Sequence, residues 1–325
     1  MNRNIIIVTG VSGYIGGQTA IQLHSQGYRV VGIDLLPLPE HLQTYVGQFV
    51  QTDFASNRSL EMLASEEVLA VVHCAGTSLV GPSHDNPREY FHNNSAKTLA
   101  MLDALLFLEN RPRVIYSSSA AVYGDPVMTP CFEVDPTSPI SPYGQSKLMI
   151  EWFLQSYAQA YGLDFVTFRY FNAAGADPEA RHGQETGASH IIAKLLESVR
   201  DNTEFTCYGN DYNTADRTCL RDYVHVADIA RAHVAAIDPS VPCGIYNLGV
   251  NKTHSNQEVI DAVSTITGKT VNVVYSNRRT GDPEKLCADS SLFAKVGNWQ
   301  PEYTLADMIT HAWAWYNQNE KLLSQ

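Results

Sequence analysis

Short apolar runs alternate with helix-length stretches along the first half of the chain. "IIIVTG" (5–10) precedes a helical pattern from Tyr14 to about His24; then come "YRVVGID" (28–34), "FVQTD" (49–53) and "LAVVHCAG" (69–76). A long helical stretch runs from about Pro87 to Leu108. "RVIYSSS" (113–119), a helix from about Pro142 to Tyr161 and "DFVTFRYF" (164–171) follow. The apolar runs are short and rich in Val and Ile, which favours strand over buried helix. Buried strands separated by helices predict βαβ units on a doubly wound parallel sheet of the Rossmann type.

The rhythm changes after Phe171. "NAAGADPEARHGQETGAS" reads as a loop, and a helix is expected over 188–201. "RDYVHVADIARAHVAAI" reads as a short strand and a helix, "GIYNLGV" and "KTVNVVYS" as further strands, with helices near 255–267 and 304–318. These patterns predict an α/β fold with two parts. Residues 1–172 form the sheet domain, to which 221–250 return; 173–220 and 251–325 form a smaller mixed α/β lobe. Two such parts make a cleft above the carboxyl ends of the strands, where open α/β sheets bind ligands.

Composition narrows the functions. The formal net charge of −12 argues against binding nucleic acid or an anionic membrane, but a few local arginines can still hold an anionic small molecule. The six cysteines contain no C-x-x-C pair, so a structural zinc site is not expected, and their scatter suits a reducing compartment. The first apolar run is too short for a signal sequence or a membrane span, so a cytoplasmic location is expected.

"TGVSGYIG" places Gly10, Gly13 and Gly16 between the first strand and first helix, with Tyr14 and Ile15 inside the turn. Glycines permit the tight turn and close approach to a pyrophosphate, and the helix N-terminus offers free N–H groups. Alone, such a turn is weak evidence. Asp34 strengthens it, because a carboxylate ending the second strand can accept both hydroxyls of an adenosine ribose and would repel a 2′-phosphate. NAD is therefore expected rather than NADP. Asp53, followed by Phe54, can take the adenine amino group or be a turn carboxylate. Ala75 and Gly76 end the fourth strand with small residues along the cofactor path.

Tyr143 and Lys147 stand four apart at the start of a helix, on one face. A free tyrosine has a pKa near 10, but a neighbouring ammonium and the charged nicotinamide ring would both favour phenolate and make Tyr143 a usable general base. Ser119, at the end of the fifth strand, can hydrogen-bond the same substrate oxygen, while Ser117 and Ser118 finish the strand near the cofactor. Alone, a Y-x-x-x-K pair is usually surface decoration. Beside a G-x-x-G-x-x-G turn and a strand-end Asp, it is not.

With these features, the sequence resembles the extended short-chain dehydrogenase/reductase family. "RYFNAAGA", "GNDYNTADRTCLRDYVHVADIARAHV", "YNLG", "RRTGD" and "CAD" occur in the order found in its UDP-glucose 4-epimerase members. The resemblance covers nearly the whole chain. It implies catalysis by Ser119, Tyr143 and Lys147, and cofactor contacts at Asn93 and Tyr170. It also implies a UDP-sugar site: Asn172, Arg221 and Arg279 at the diphosphate, His190, Ile191 and Tyr208 around the uridine, and Asp282 near its ribose. Guanidinium forks suit two phosphoryl charges. The implied reaction is C4 epimerisation of a UDP-hexose, with transient hydride transfer to tightly held NAD and a 4-keto sugar in between. A homodimer is expected, pairing the helices over 87–108 and 143–161, although core packing explains their apolar faces equally well.

Several alternatives stay open at this point. A 4,6-dehydratase needs a carboxylate pair after its active-site hydroxyl, and Ser119 is followed by Ala120 and Ala121. A UDP-glucuronate epimerase or decarboxylase is not excluded. A catalytically inactive NAD-sensing protein usually lacks Y-x-x-x-K, which is kept here. Ser78 stands where many relatives carry lysine, Ala193 replaces a common proline, and Leu286 borders the sugar's 2-substituent. Leucine there is intermediate in size, so UDP-glucose and UDP-galactose are favoured and UDP-N-acetylhexosamines remain a rival. Tyr123 is read as structural or as bordering the sugar pocket, and the four tryptophans as packing residues.

Overall fold

The computed structural model describes residues 4–63, 65, 67–109, 111–279 and 282–323. Thr280 and Gly281 of the "RRTGD" run lie outside them. In chain order, β1 (Ile5–Thr9), α1 (Tyr14–Ser25), β2 (Arg29–Asp34), β3 (Gln48–Gln51), α2 (Asn57–Leu63) and β4 (Val68–His73) come first. Helix α3 (Val80–Asp85) and α4 (Pro87–Tyr90) follow; α4 passes through a π-turn at Phe91–Ala96 into α5 (Lys97–Leu105). Then come β5 (Arg113–Ser119), α6 (Pro142–Tyr161), β6 (Phe165–Tyr170) and β7 (Asn172–Ala174). The remainder comprises α7 (Ile191–Asp201), β8 (Glu204–Tyr208), β9 (Leu220–His225), α8 (Val226–Ala235), β10 (Gly244–Leu248), β11 (Thr253–Ser255), α9 (Asn256–Thr267), β12 (Asn272–Ser276), β13 (Lys285–Leu286), α10 (Ser291–Val296) and α11 (Leu305–Leu323).

Seven strands form one parallel sheet in the order β10-β6-β5-β4-β1-β2-β3. Successive residues Ile6, Ile7 and Val8 are all buried, Ile6 and Val8 in one core and Ile7 in the other. Burial on both faces explains why the strands read as continuous apolar runs rather than alternating ones. The chain runs outward from β1 to β3 and resumes at β4 on the other side of β1. The crevice at the carboxyl ends of β1 and β4 is therefore the topological switch point.

The second half departs from expectation in several places. Of the 221–250 segment, β10 joins the large sheet beside β6 and α8 packs on α1 through Ala20, Ile229 and Ala232. Strand β9 instead heads a smaller sheet with β7, β11 and β13. Strand β8 pairs with β12 in a separate parallel ribbon; its sequence, "EFTCY", is buried only at alternate positions and too short to announce itself. The helix expected over 188–201 starts at Ile191, and the one expected over 87–108 ends at Leu105. Trp299 and Trp315 are buried and donate their indole N–H to Asp228 O and Gln184 O. Trp152 does not fit the packing role read for the tryptophans: it stands 54% exposed on α6.

Candidate active site

At the end of β1, Gly10 adopts a φ of +73°. A Cβ on Gly16 would lie 2.1 Å from Gly10 O, so only glycine lets α1 start this close to the strand. A Cβ on Gly13 would meet nothing closer than 3.4 Å. Gly13 opens α1 with no side-chain cap and no acidic residue in the first turn. The first turn of a helix has N–H groups without intrahelical partners at its positive end, which fits a pyrophosphate. Tyr14 points away from this turn; its hydroxyl donates to Gly175 O at 2.7 Å. Asp34 ends β2, and its two oxygens accept from Ser12 N at 2.9 Å and Leu36 N at 3.0 Å, holding the carboxylate at the crevice.

Asp53 caps Ala55 N at 2.9 Å and pairs with Lys97 at 2.6 Å. Both the turn role and a nearby cation are thus present, and Phe54 is buried against His73. Beyond β4, Thr77 N donates to Asn94 Oδ1 at 2.8 Å, and Asn93 Nδ2 donates to Thr77 Oγ1 at 3.2 Å. Both asparagines belong to the π-turn. Extra-residue turns of this kind re-aim side chains and recur at functional sites. Here the turn ties the loop holding Ala75 and Gly76 to the helix behind it. Asn94, fully buried and also bonded to Ser146 Oγ at 2.9 Å, was not singled out from sequence.

The expected triad is assembled. Ser141 caps α6 through Gly144 N at 3.1 Å, and Pro142 occupies the first turn. A Cβ on Gly144 would meet Ala121 O at 2.6 Å, so this turn presses against the residues after β5. That contact sets Tyr143 against Ser119. Tyr143 and Lys147 are both buried. The Lys147 ammonium donates to Ser117 O at 2.8 Å and lies 5.1 Å over the Tyr116 ring and 5.9 Å from the Tyr143 ring centroid. Burial pulls Lys147 down to about 8, opposed by Cys74 and Glu151, so it stays an ammonium at neutral pH. Burial pushes the Tyr143 phenol up, and the Ser119 hydroxyl works to lower it. Burial therefore favours the phenol, and the phenolate expected from the Lys147 ammonium and the charged nicotinamide ring together has that burial to offset. Tyr170 turns its hydroxyl inward, 2.9 Å from Ser117 Oγ.

Across the cleft, Arg279 meets Tyr208 of β8 and Arg221 of β9 meets Asp282, while Asn172 stands on β7 and His190 and Ile191 at the start of α7. Arg279 stacks 4.1 Å over the Tyr208 ring, and both line a cleft of about 590 Å³ with Asn277, Arg278, Gly81 and His84. Gly81 and His84 come from α3, on the sheet side; no motif marked them. Arg221 is buried and forks onto Asp282 and Pro283 O. Asn172 pairs with Tyr223 in register. His190 flanks α7 without capping it and accepts from Gln184, next to Ile191. Leu286 pairs with Arg221 and packs against Ala120, Tyr123 and Phe171, directly behind the Ser119 turn. Tyr123 is structural, bonding Asn247 at 2.7 Å. Among the described residues there is no cluster fit for a metal ion, and no helix is long and apolar enough to cross a membrane.

The chain matches known proteins over most of its length. The model of the NAD dependent epimerase/dehydratase family matches residues 6–249. A UDP-glucose 4-epimerase from Halalkalibacterium halodurans is 38% identical over 97% of this chain and 96% of its own length. Among solved structures, the Stenotrophomonas maltophila UDP-glucose-4-epimerase, with bound NAD and formylated UDP-arabinopyranose, superposes with a TM-score of 0.91 at 32% identity, covering 98% of this chain and 99% of that one. The Bifidobacterium longum UDP-glucose 4-epimerase, in complex with NAD+ and UDP, gives a TM-score of 0.90 at 33% identity, covering 97% and 99%.

Proposed function

Because this chain belongs to the NAD dependent epimerase/dehydratase family, we propose that it interconverts the C4 epimers of a UDP-hexose, UDP-glucose and UDP-galactose. The observation that carries this reading is the cluster of half-buried Ser119 with buried Tyr143 and Lys147 beside an uncapped, glycine-built helix start, with two alanines following Ser119. NAD bound at that cradle supplies the hydride acceptor for C4 and a positive charge next to Tyr143.

Tyr143 takes the 4-hydroxyl proton as C4 is oxidised, with Ser119 hydrogen-bonded to the same oxygen. Lys147 and the cofactor's charge together offset the burial that raises the phenol. Arg279, Arg221 and Asn172 hold the diphosphate, Tyr208, His190 and Ile191 the uracil end, and Asp282 the ribose, so the 4-keto sugar turns without leaving. The hydride is then returned to the other face of C4, and Tyr143 returns the proton to the C4 oxygen. Arg221 pairs with Asp282, so UDP shares its guanidinium with that carboxylate. Leu286, packed behind the Ser119 turn, borders the sugar.

This reading includes the two-lobe division described above and a cytoplasmic location. It also includes a homodimer joined through α5 and α6, whose exposed Trp152 a second copy would cover. The test is turnover of UDP-galactose to UDP-glucose by the NAD-loaded protein. The wild type should convert it, and Tyr143→Phe should lose about 10²–10⁴-fold in kcat while still binding UDP. A wild type that binds NAD and converts nothing would replace the reading with a binding protein.

A further inference from the structure

His233 lies on α8 in "VADIARAHVA", inside a run that carries the family resemblance but to which the sequence gives no role. It is 0% exposed, and both ring nitrogens are engaged. Nδ1 lies 2.8 Å from Thr19 Oγ1 on α1, and Nε2 is hydrogen-bonded to the Tyr170 hydroxyl at the end of β6. The same hydroxyl lies 2.9 Å from Ser117 Oγ on β5, and the Ser117 carbonyl holds the Lys147 ammonium at 2.8 Å. Thr19 in turn donates to Ile15 O, inside the first turn of the cradle helix. One buried chain of hydrogen bonds thus joins the helix that starts the cofactor cradle to the catalytic lysine.

A buried imidazole is expensive unless both nitrogens are satisfied, and an apolar side chain would fill this space without needing partners. Burial lowers the His233 pKa to about 3, so at neutral pH the ring carries one N–H and one lone pair. A neutral ring fixed at both ends cannot supply a charge. What it can do is hold the Tyr170 hydroxyl in one place.

We propose that His233 is a positioning residue for Lys147, acting through Tyr170 and Ser117. The inference rests on the roles of Tyr143 and Lys147 given above. His233 fixes the Tyr170 hydroxyl, the hydroxyl holds the Ser117 side chain and so adds to the β5–β6 ladder that holds its main chain opposite Phe168, and the Ser117 carbonyl sets where the ammonium stands relative to the Tyr143 phenol. The other groups facing that ammonium are Cys74 at the end of β4, His73 on β4, Tyr116 on β5 and Glu151 on α6. Among them, none bonds the Ser117 carbonyl. Loosening the chain lets the ammonium move away from Tyr143. The phenol then ionises at higher pH, and the acid limb of the kcat profile moves up.

The test compares pH profiles of kcat for NAD-loaded wild type, His233→Leu, His233→Gln and Tyr170→Phe, with melting temperatures measured alongside. His233→Leu should raise the acid limb by about one pH unit, a roughly tenfold loss of kcat on that limb, with KM for UDP-galactose little changed. His233→Gln, which keeps a donor and an acceptor, should recover most of the loss. Tyr170→Phe deletes only the connecting hydroxyl and should reproduce the shift even if His233→Leu folds poorly; the double variant should add nothing further. Acid limbs unmoved in Tyr170→Phe and His233→Leu, with lower melting temperatures, would make His233 a packing residue and overturn the proposal. The wild-type profile reports separately on the epimerase reading.

Discussion

The sheet side of the cleft and the side facing it are built from different materials. On the sheet side the cofactor cradle is mostly backbone: the turn from β1 to α1, the end of β2, and a loop bolted by Asn94. Its shape is set by contacts with no freedom to give, such as the approach of Gly16 to Gly10 O. The facing side is mostly side chain. Arg279 rests on Tyr208, Arg278 pairs with Asp211 at 2.7 Å, and Arg221 pairs with Asp282. Two of these guanidinium groups are held by carboxylates and the third by an aromatic face. The first surface is shaped by close backbone contacts; the second by side chains that lean on one another. A cofactor kept through many turnovers suits the first, and a substrate that enters and leaves suits the second.

That contrast can be broken by substitution on each side. The largest effect is expected at Gly16→Ala. The new methyl group meets backbone that cannot move aside, a clash costing on the order of 3 kcal/mol. Melting temperature and NAD content should fall together, and a stable, NAD-loaded variant would show the cradle to be less rigid than described. A smaller effect is expected at Arg279→Ala. Here KM for UDP-galactose should rise about ten- to hundred-fold, the worth of one charge-assisted hydrogen bond. Melting temperature, NAD content and kcat should stay close to wild type. A loss of NAD from this variant would mean that the two sides are coupled, and the contrast would fail.

The same difference in material explains what could be read in the sequence. The expected bounds of α6, Pro142 to Tyr161, coincide with the structure because Ser141, Pro142 and the left-handed Gly162 punctuate both ends. The parallel sheet was legible from strands buried on both faces. The proximity of Ser119, Tyr143 and Lys147 was legible because a helix fixes the Tyr143–Lys147 spacing, and β5 ends at Ser119. Strand β8 escaped because a short strand with alternate positions exposed carries little signal. Lone polar residues such as His84, Asn94 and His233 escaped because their partners are distant in sequence: Asn94 meets Ser146 and His233 meets Thr19 only once the chain is folded. The acidity of Tyr143 was only half legible. Spacing gave the neighbouring ammonium, but the burial that works against it is a property of the packed site.

The central claim is that the hydrogen on C4 leaves the sugar and returns within one closed site, with Tyr143 handling only the proton. UDP-galactose carrying deuterium at C4, converted in ordinary water and examined by NMR, tests it most directly. The account predicts UDP-glucose with the deuterium retained at C4. Deuterium lost to solvent would mean that C4 exchanges as a proton, and would contradict it.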